Sequence, residues 1–214
     1  FLRGEFEAVG ADLSARGAVT DEVLEVMRRL WETEGEVGYE GRHFSFPPAH
    51  CEPKPLQQPL PLWIGGNGRR GIERAARLGD GWHPLFPDAP AYRAGRERIE
   101  ALRGDRGVEG FGFSYSCPET RIIDDPDAIP RSAGYAGTTG MPDDYAYAPA
   151  PPADETGRPR FIGTADQVVG DIERLVEAGA EHFVLRFWAG DPSVPVEDSF
   201  DQMERFAESV RPRF

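Results

Sequence analysis

The residues best suited to chemistry in this 214-residue chain stand together at Leu62-Trp63-Ile64-Gly65-Gly66-Asn67-Gly68-Arg69-Arg70-Gly71, ahead of Ile72-Glu73-Arg74-Ala75-Ala76-Arg77-Leu78. A short apolar run, a turn made of Gly65, Gly66, Asn67 and Gly68, and the start of a helix follow one another. Such a turn presents backbone N–H groups with few side chains in the way, and the helix N-terminus adds partial positive charge. The combination suits a phosphate. Arg69 and Arg70 can add charge-assisted bonds to the same anion, or stay solvated. No Ser-His-Asp order or paired-carboxylate motif stands out elsewhere, and Cys51 and Cys117 form no metal-ligand spacing, so no metal is expected.

The stretch Gly66-Asn67-Gly68-Arg69-Arg70-Gly71 is also a literal G-x-G-x-x-G, and Asp88 lies 22 residues beyond Gly66, near where a dinucleotide fold keeps its ribose-binding acid. An NAD-dependent dehydrogenase of the Rossmann type is therefore one reading. The surroundings fit it poorly. Gly79-Asp80-Gly81 cuts the helix after about two turns, and Trp82-His83-Pro84 lacks the aliphatic run of a central strand. Asp88 follows Phe86-Pro87, in what reads as loop.

Composition narrows the partners. A formal net charge of −13 argues against nucleic acid or an anionic membrane, because binding phosphodiester backbones takes a basic footprint. A small anionic ligand needs only a local donor cluster. No apolar run approaches the roughly 20 residues of a membrane span, and no signal peptide opens the chain. With two widely spaced cysteines, the expectation is a cytoplasmic protein with reduced thiols.

The elements that must position the turn can be read in order. Thr20 can cap a helix running to about Thr33, with Val23, Val26, Met27, Leu30 and Trp31 as its apolar stripe and Gly35 closing it. Tyr39, Phe44 and Phe46 suggest two short strands, and the proline-rich stretch Pro47 to Pro61 an extended connector. After the turn and its helix come a strand at Trp82-His83-Pro84-Leu85 and a helix from about Ala89 to Leu102. Phe111-Gly112-Phe113-Ser114-Tyr115-Ser116 alternates large and small residues, as a strand lining a confined interior does. From Asp124 to Arg160 no period holds, and a loop this long is either a substrate-side lid or a floppy insertion. Thr164 and Gln167 then form a capping box ahead of Val168, Ile172, Leu175 and Val176, closed by Gly179. Glu181 to Phe187 reads as the clearest buried strand, and Phe200, Met203, Phe206 and Val210 as the inward face of a last helix. Strands separated by helices give an α/β class with parallel pairing, in one domain over residues 1–214.

A resemblance sharpens this. Tyr39-Glu40-Gly41-Arg42-His43-Phe44, Glu52-Pro53-Lys54-Pro55, Gln58-Pro59, Trp63-Ile64-Gly65-Gly66 and Ala75-Ala76-Arg77-Leu78-Gly79-Asp80-Gly81-Trp82 occur in one order. Together with Gly163-Thr164, Glu177-Ala178-Gly179-Ala180 and His182-Phe183-Val184-Leu185, they resemble the luciferase-like monooxygenase family, especially its deazaflavin-dependent branch. That family folds as a (β/α)8 TIM barrel, whereas only four barrel strands are legible here, near Leu62, Trp82, Phe113 and Val184. The resemblance thus implies the C-terminal half of a barrel, about four βα units, with the N-terminal strands missing before Phe1. The alternative is a non-catalytic half-barrel that needs a partner chain to close, as in a homodimer.

The same resemblance implies an oxidoreductase acting on a small organic substrate with reduced deazaflavin, coenzyme F420, or second FMN. Gly65, Gly66, Asn67 and Gly68 would hold the cofactor's phosphate-bearing tail, with Arg69 beside them. Arg186, ending an apolar strand, would face the active-site mouth, either as an anion contact or in a structural salt bridge. Trp82 and His83 would border that mouth, with plain packing the alternative for the tryptophan. Catalytic residues in the family come largely from the first four strands, so none is assigned.

Overall fold

The computed structural model describes residues 3–128, 153–187 and 194–214. In chain order the elements are α1 (Arg3–Ala8), α2 (Arg16–Glu32), β1 (Glu36–Glu40), β2 (Ser45–His50), β3 (Trp63–Gly65), α3 (Arg69–Leu78) and β4 (Gly81–His83). There follow α4 (Ala89–Arg103), β5 (Gly112–Glu119), β6 (Arg121–Ile122), β7 (Ile162–Gly163), α5 (Ala165–Glu177), β8 (His182–Arg186) and α6 (Val196–Ser209). Of the long irregular stretch at 124–160, residues 129–152 lie outside the described residues. Among the described residues no helix is long and apolar enough to cross a membrane.

Four strands form one parallel sheet in the order β3-β4-β5-β8, so each new strand is added to the same side. A doubly wound fold reverses direction at a switch point, with helices on both faces. Here Ile64, Trp82, Phe113, Tyr115 and Cys117 alternate onto one face and pack with Ala75 and Ala76 of α3, Tyr92 and Ile99 of α4, and Val168, Ile172 and Leu175 of α5. The helices therefore cover one face. On the other face the edge-strand residues Trp63 and Val184 stay accessible, at 42% and 53%, while Ser114 and Ser116 of the central β5 are buried.

That inner face has a floor. Trp63, Gly81 and Gly112 share a row across β3, β4 and β5. The Trp63 indole lies across both glycines: a Cβ on Gly112 would stand 2.2 Å from its ring, and one on Gly81 2.6 Å. Its far side meets the His182 ring edge-on, with centroids 5.5 Å apart. Three strands are thus spanned by one side chain, which only residues without a Cβ permit.

Polar groups tie the surroundings to this sheet. Asp80 accepts from Leu62 N at 2.9 Å and from Arg28 at 2.5 Å, fastening α2 beneath β3. Glu22 of α2 accepts the backbone N–H groups of His43 and Phe44, seating the β1–β2 hairpin. Asp171 of α5 is fully buried and receives Arg158, Arg160, Arg174 and the N–H of Phe161. That anchors the chain where it returns into β7, which pairs with β6 in a separate two-stranded sheet. Nearby, burial pushes the Asp154 carboxyl up, but hydrogen bonds from Thr156 and Arg158 outweigh it and lower it to about 2.

Several expectations are corrected. The second helix starts at Arg16, and the Thr20 hydroxyl bonds back to Arg16 O inside it rather than capping it. Pro47 and Pro48 belong to β2, an edge strand that needs no N–H from them. Strand β8 is not the most buried: it is a sheet edge with exposed Val184. Val169 replaces Val176 on the covered face of α5. Of the last helix's expected inward face, Phe206 and Val210 pack with the core, whereas Phe200 and Met203 are exposed and polar groups complete the docking of α6. Its Asp198 takes a two-pronged bond from Arg121, and its buried Gln202 accepts from Ile122 N at 2.7 Å. The capping box of Thr164 and Gln167 and the left-handed Gly179 (φ 101°) form as expected.

Replacing Gly112 by Ala should therefore cost about 1–3 kcal/mol through overpacking against Trp63. In a Trp63→Leu background the same change should cost much less by thermal melting. An equal loss in both backgrounds would refute the floor.

Candidate functional site

The glycine turn sits where β3 ends and α3 begins, at the C-terminal edge of the parallel sheet. Gly66 has φ 110°, a left-handed value that glycine adopts without strain. Gly71 is required for a different reason: a Cβ there would lie 3.1 Å from the carbonyl oxygens of Gly65 and Gly66. The first helical turn can close tightly on the loop only without it. Gly68 is the N-cap, with no side chain to occupy the helix end, and its carbonyl accepts from Gly71 N and Ile72 N.

The donors nearest the tip are left over. Among the described residues, the backbone N–H groups of Asn67, Gly68, Arg69 and Arg70 have no acceptor. Helix starts leave such orphans to water or to an anion. A Cβ on Gly68 would meet nothing within 4 Å, so the approach is open. Donors so placed suit an anion.

Two side chains hold the turn in shape. Trp82 Nε1 donates to Gly66 O at 2.9 Å. The Asn67 amide pairs with the backbone of Leu85 twice, donating to its carbonyl at 2.7 Å and accepting its N–H at 2.9 Å. Asn67 thus offers a ligand its main chain only. Arg69 is largely exposed and bonded to Glu73 at 2.9 Å, a solvated pair of small net value. Arg186 is half-buried at the end of β8, where its carbonyl accepts from Thr120 N at 2.7 Å. Trp82 does not border the mouth. Its indole is 1% exposed, packs on Tyr92, and fills the space that a Cβ on Gly95 would enter.

The neighbour of Trp82 points the other way. His83 pairs with Gly65 across the sheet, and its Nδ1 lies 2.6 Å from the hydroxyl of Ser114 on β5. Partial burial lowers the His83 pKa from its ordinary 6.5. Farther up, a strand irregularity after Ser116 brings Glu119 alongside Arg186. Burial raises the Glu119 carboxyl, opposed by Arg121. Ser114 and Glu119 were missed as site residues. The signal for Ser114 was present, because the small members of the Phe111–Ser116 alternation are the inward ones.

Asp88 is not a ribose-binding acid: it caps α4 by accepting from Ala91 N at 2.8 Å. With β3 at the sheet edge rather than its centre, the dinucleotide reading is not supported. Among the described residues no cluster of His, Cys, Asp and Glu is placed to hold a metal.

A parallel sheet covered by helices on one face, with a glycine turn and a helix start at its C-terminal edge, defines the class as α/β. Residues 3–182 match the family model of luciferase-like monooxygenases, and the chain belongs to that family. It is 36% identical over 175 residues to an uncharacterized protein of Mycobacterium tuberculosis (strain ATCC 25618 / H37Rv), covering 81% of this chain and 50% of that protein. An F420-dependent glucose-6-phosphate dehydrogenase of Amycolatopsis mediterranei is 23% identical, over 94% of this chain and 62% of the enzyme. Among solved structures, a monooxygenase from Streptomyces bottropensis superposes with a TM-score of 0.77 at 23% identity, covering all of this chain and 66% of that one. The chain thus spans about half the length of the curated relatives it matches.

The lowered His83 pKa means that the unfolded chain binds its proton more readily than the folded one. His83 thus contributes stability fully present above pH 6.5 and lost as pH falls through the folded value. An NMR titration should place its midpoint below 6.5, and His83→Gln should reduce the acid-side loss of stability.

Proposed function

We propose that this chain is part of a luciferase-like oxidoreductase that binds reduced coenzyme F420, or second FMN, and acts on a small organic substrate. The observation that carries the reading is the row of unclaimed N–H groups at Asn67, Gly68, Arg69 and Arg70. They would hold the phosphate of the cofactor tail, Gly65 and Gly66 would let it approach, and the α3 dipole would favour its charge. The cofactor would supply hydride or oxygen chemistry. The chain's own share is binding, orientation and exclusion of water.

We further propose that the four-stranded sheet is one half of a (β/α)8 barrel. The accessible inner face and the two open edge strands, β3 and β8, support this reading. The other half would come from four further βα units of the same polypeptide, or from a second copy in a homodimer. A cytoplasmic location, expected from the two widely spaced cysteines, is part of the same proposal.

Gly68→Asp is the cleanest test. Its φ of −79° and open surroundings let an aspartate fold there, while adding negative charge where the phosphate would lie. Fluorescence titration should show F420 or FMN binding at least ten-fold weaker in Gly68→Asp and near normal in Gly68→Ala. Unchanged affinity in the aspartate variant removes the phosphate role.

A further inference from the structure

The Ser114 hydroxyl lies 2.6 Å from His83 Nδ1 and 3.1 Å from Trp82 O. Two hydrogen bonds need two protons, and a serine hydroxyl carries one. The Trp82 carbonyl can only accept. If Ser114 gave its proton to Nδ1, the hydroxyl and carbonyl oxygens would face each other with none between them. If Nδ1 carries a proton, both contacts are satisfied: the imidazole donates to Ser114 Oγ, which donates to Trp82 O. Ser114 cannot turn away, being 2% exposed, with its own carbonyl held by the Tyr92 hydroxyl at 3.0 Å. Burial disfavours a doubly protonated ring, so the remaining nitrogen is a bare lone pair.

We propose that Ser114 positions His83 as the Nδ1–H tautomer, so that His83 Nε2 is a hydrogen-bond acceptor on the inner face for a hydroxyl group of the bound small molecule. Among the described residues Nε2 has no protein partner. Its neighbour across the sheet, Gly65, has no side chain to cover it, and the Trp63 floor lies one row below. The anion-ready turn starts at Gly65 itself, which pairs with His83. A ligand held there by its phosphate would extend its next few atoms toward His83. A hydroxyl fits this acceptor and a carboxylate does not, which makes the ring a selector for polyol or alcohol groups. Ser114 is a positioning residue, and His83 the contact.

The assignment of the cofactor in this inference rests on the reading proposed above. The test is ¹⁵N NMR of the histidine side chains, with backbone amides followed in the same samples. The protein without ligand should show a pyridine-like His83 Nε2 and a protonated Nδ1; a protonated Nε2 overturns the proposal. Adding F420 should move the Gly68 and Arg69 amides and also His83 Nε2, marking a cofactor hydroxyl. If Nε2 moves only when 2-propanol is added as well, the hydroxyl is the substrate's, and the proposal still stands. Amide shifts with no response of Nε2 in either sample overturn the inference and leave the cofactor reading intact. No amide shift with F420 or FMN removes that reading, while the tautomer result stands on its own. Ser114→Ala should give mixed tautomers and about ten-fold weaker binding of the hydroxyl-bearing ligand, with Ser114→Thr restoring the single tautomer.

Discussion

The structure depends on where the Trp82 indole lies. It is buried between the sheet and α4, against Tyr92 and over the bare backbone of Gly95, and its one polar atom donates to Gly66 O. A buried N–H must find an acceptor, and burying so large an apolar ring is strongly favourable. The hydrophobic core is therefore coupled directly to the glycine turn. A turn rich in glycine is floppy by itself. Here it is braced from behind by Trp82 and from the side by the paired amide of Asn67 on Leu85.

The same strand then serves two environments. Successive residues of β4 point to opposite faces, so Trp82 enters the core and His83 the open face. In β5 the alternation repeats: Phe113, Tyr115 and Cys117 pack under the helices, while Gly112, Ser114 and Ser116 lie on the other side. The glycines of this face leave room for one indole as a floor. The helix-covered face carries the hydrophobic core, and the other carries Trp63, His83 and Ser114.

Polar contacts do much of the remaining positioning. Asp171 buried among Arg158, Arg160 and Arg174 fixes the return of the chain into β7 and α5. Such a cluster is costly to desolvate and adds little net stability, but breaking it would leave charges buried without partners. It specifies one path for the chain. Asp198 and Gln202 do the same for α6, together with the packing of Phe206 and Val210, and its Phe200 and Met203 are turned outward.

Much was legible in the amino-acid order alone, where the signal is local. The glycine turn, the capping box at Thr164, the closing Gly179 and the parallel α/β class all rest on backbone preferences and short-range periodicity. So did the alternation of large and small residues in β5. Contacts between distant residues were decided only by the tertiary structure. Periodicity says that a strand is apolar, but not that β8 is an edge, so its burial was overestimated. Residue type shows a tryptophan at 82, but the sheet's parity sends it to the core and gives the inner face to His83. Nothing near Ser114 in sequence announces its contact with a ring 31 residues away. That hydrogen bond exists because two parallel strands pair in one register, and register is a property of the folded sheet.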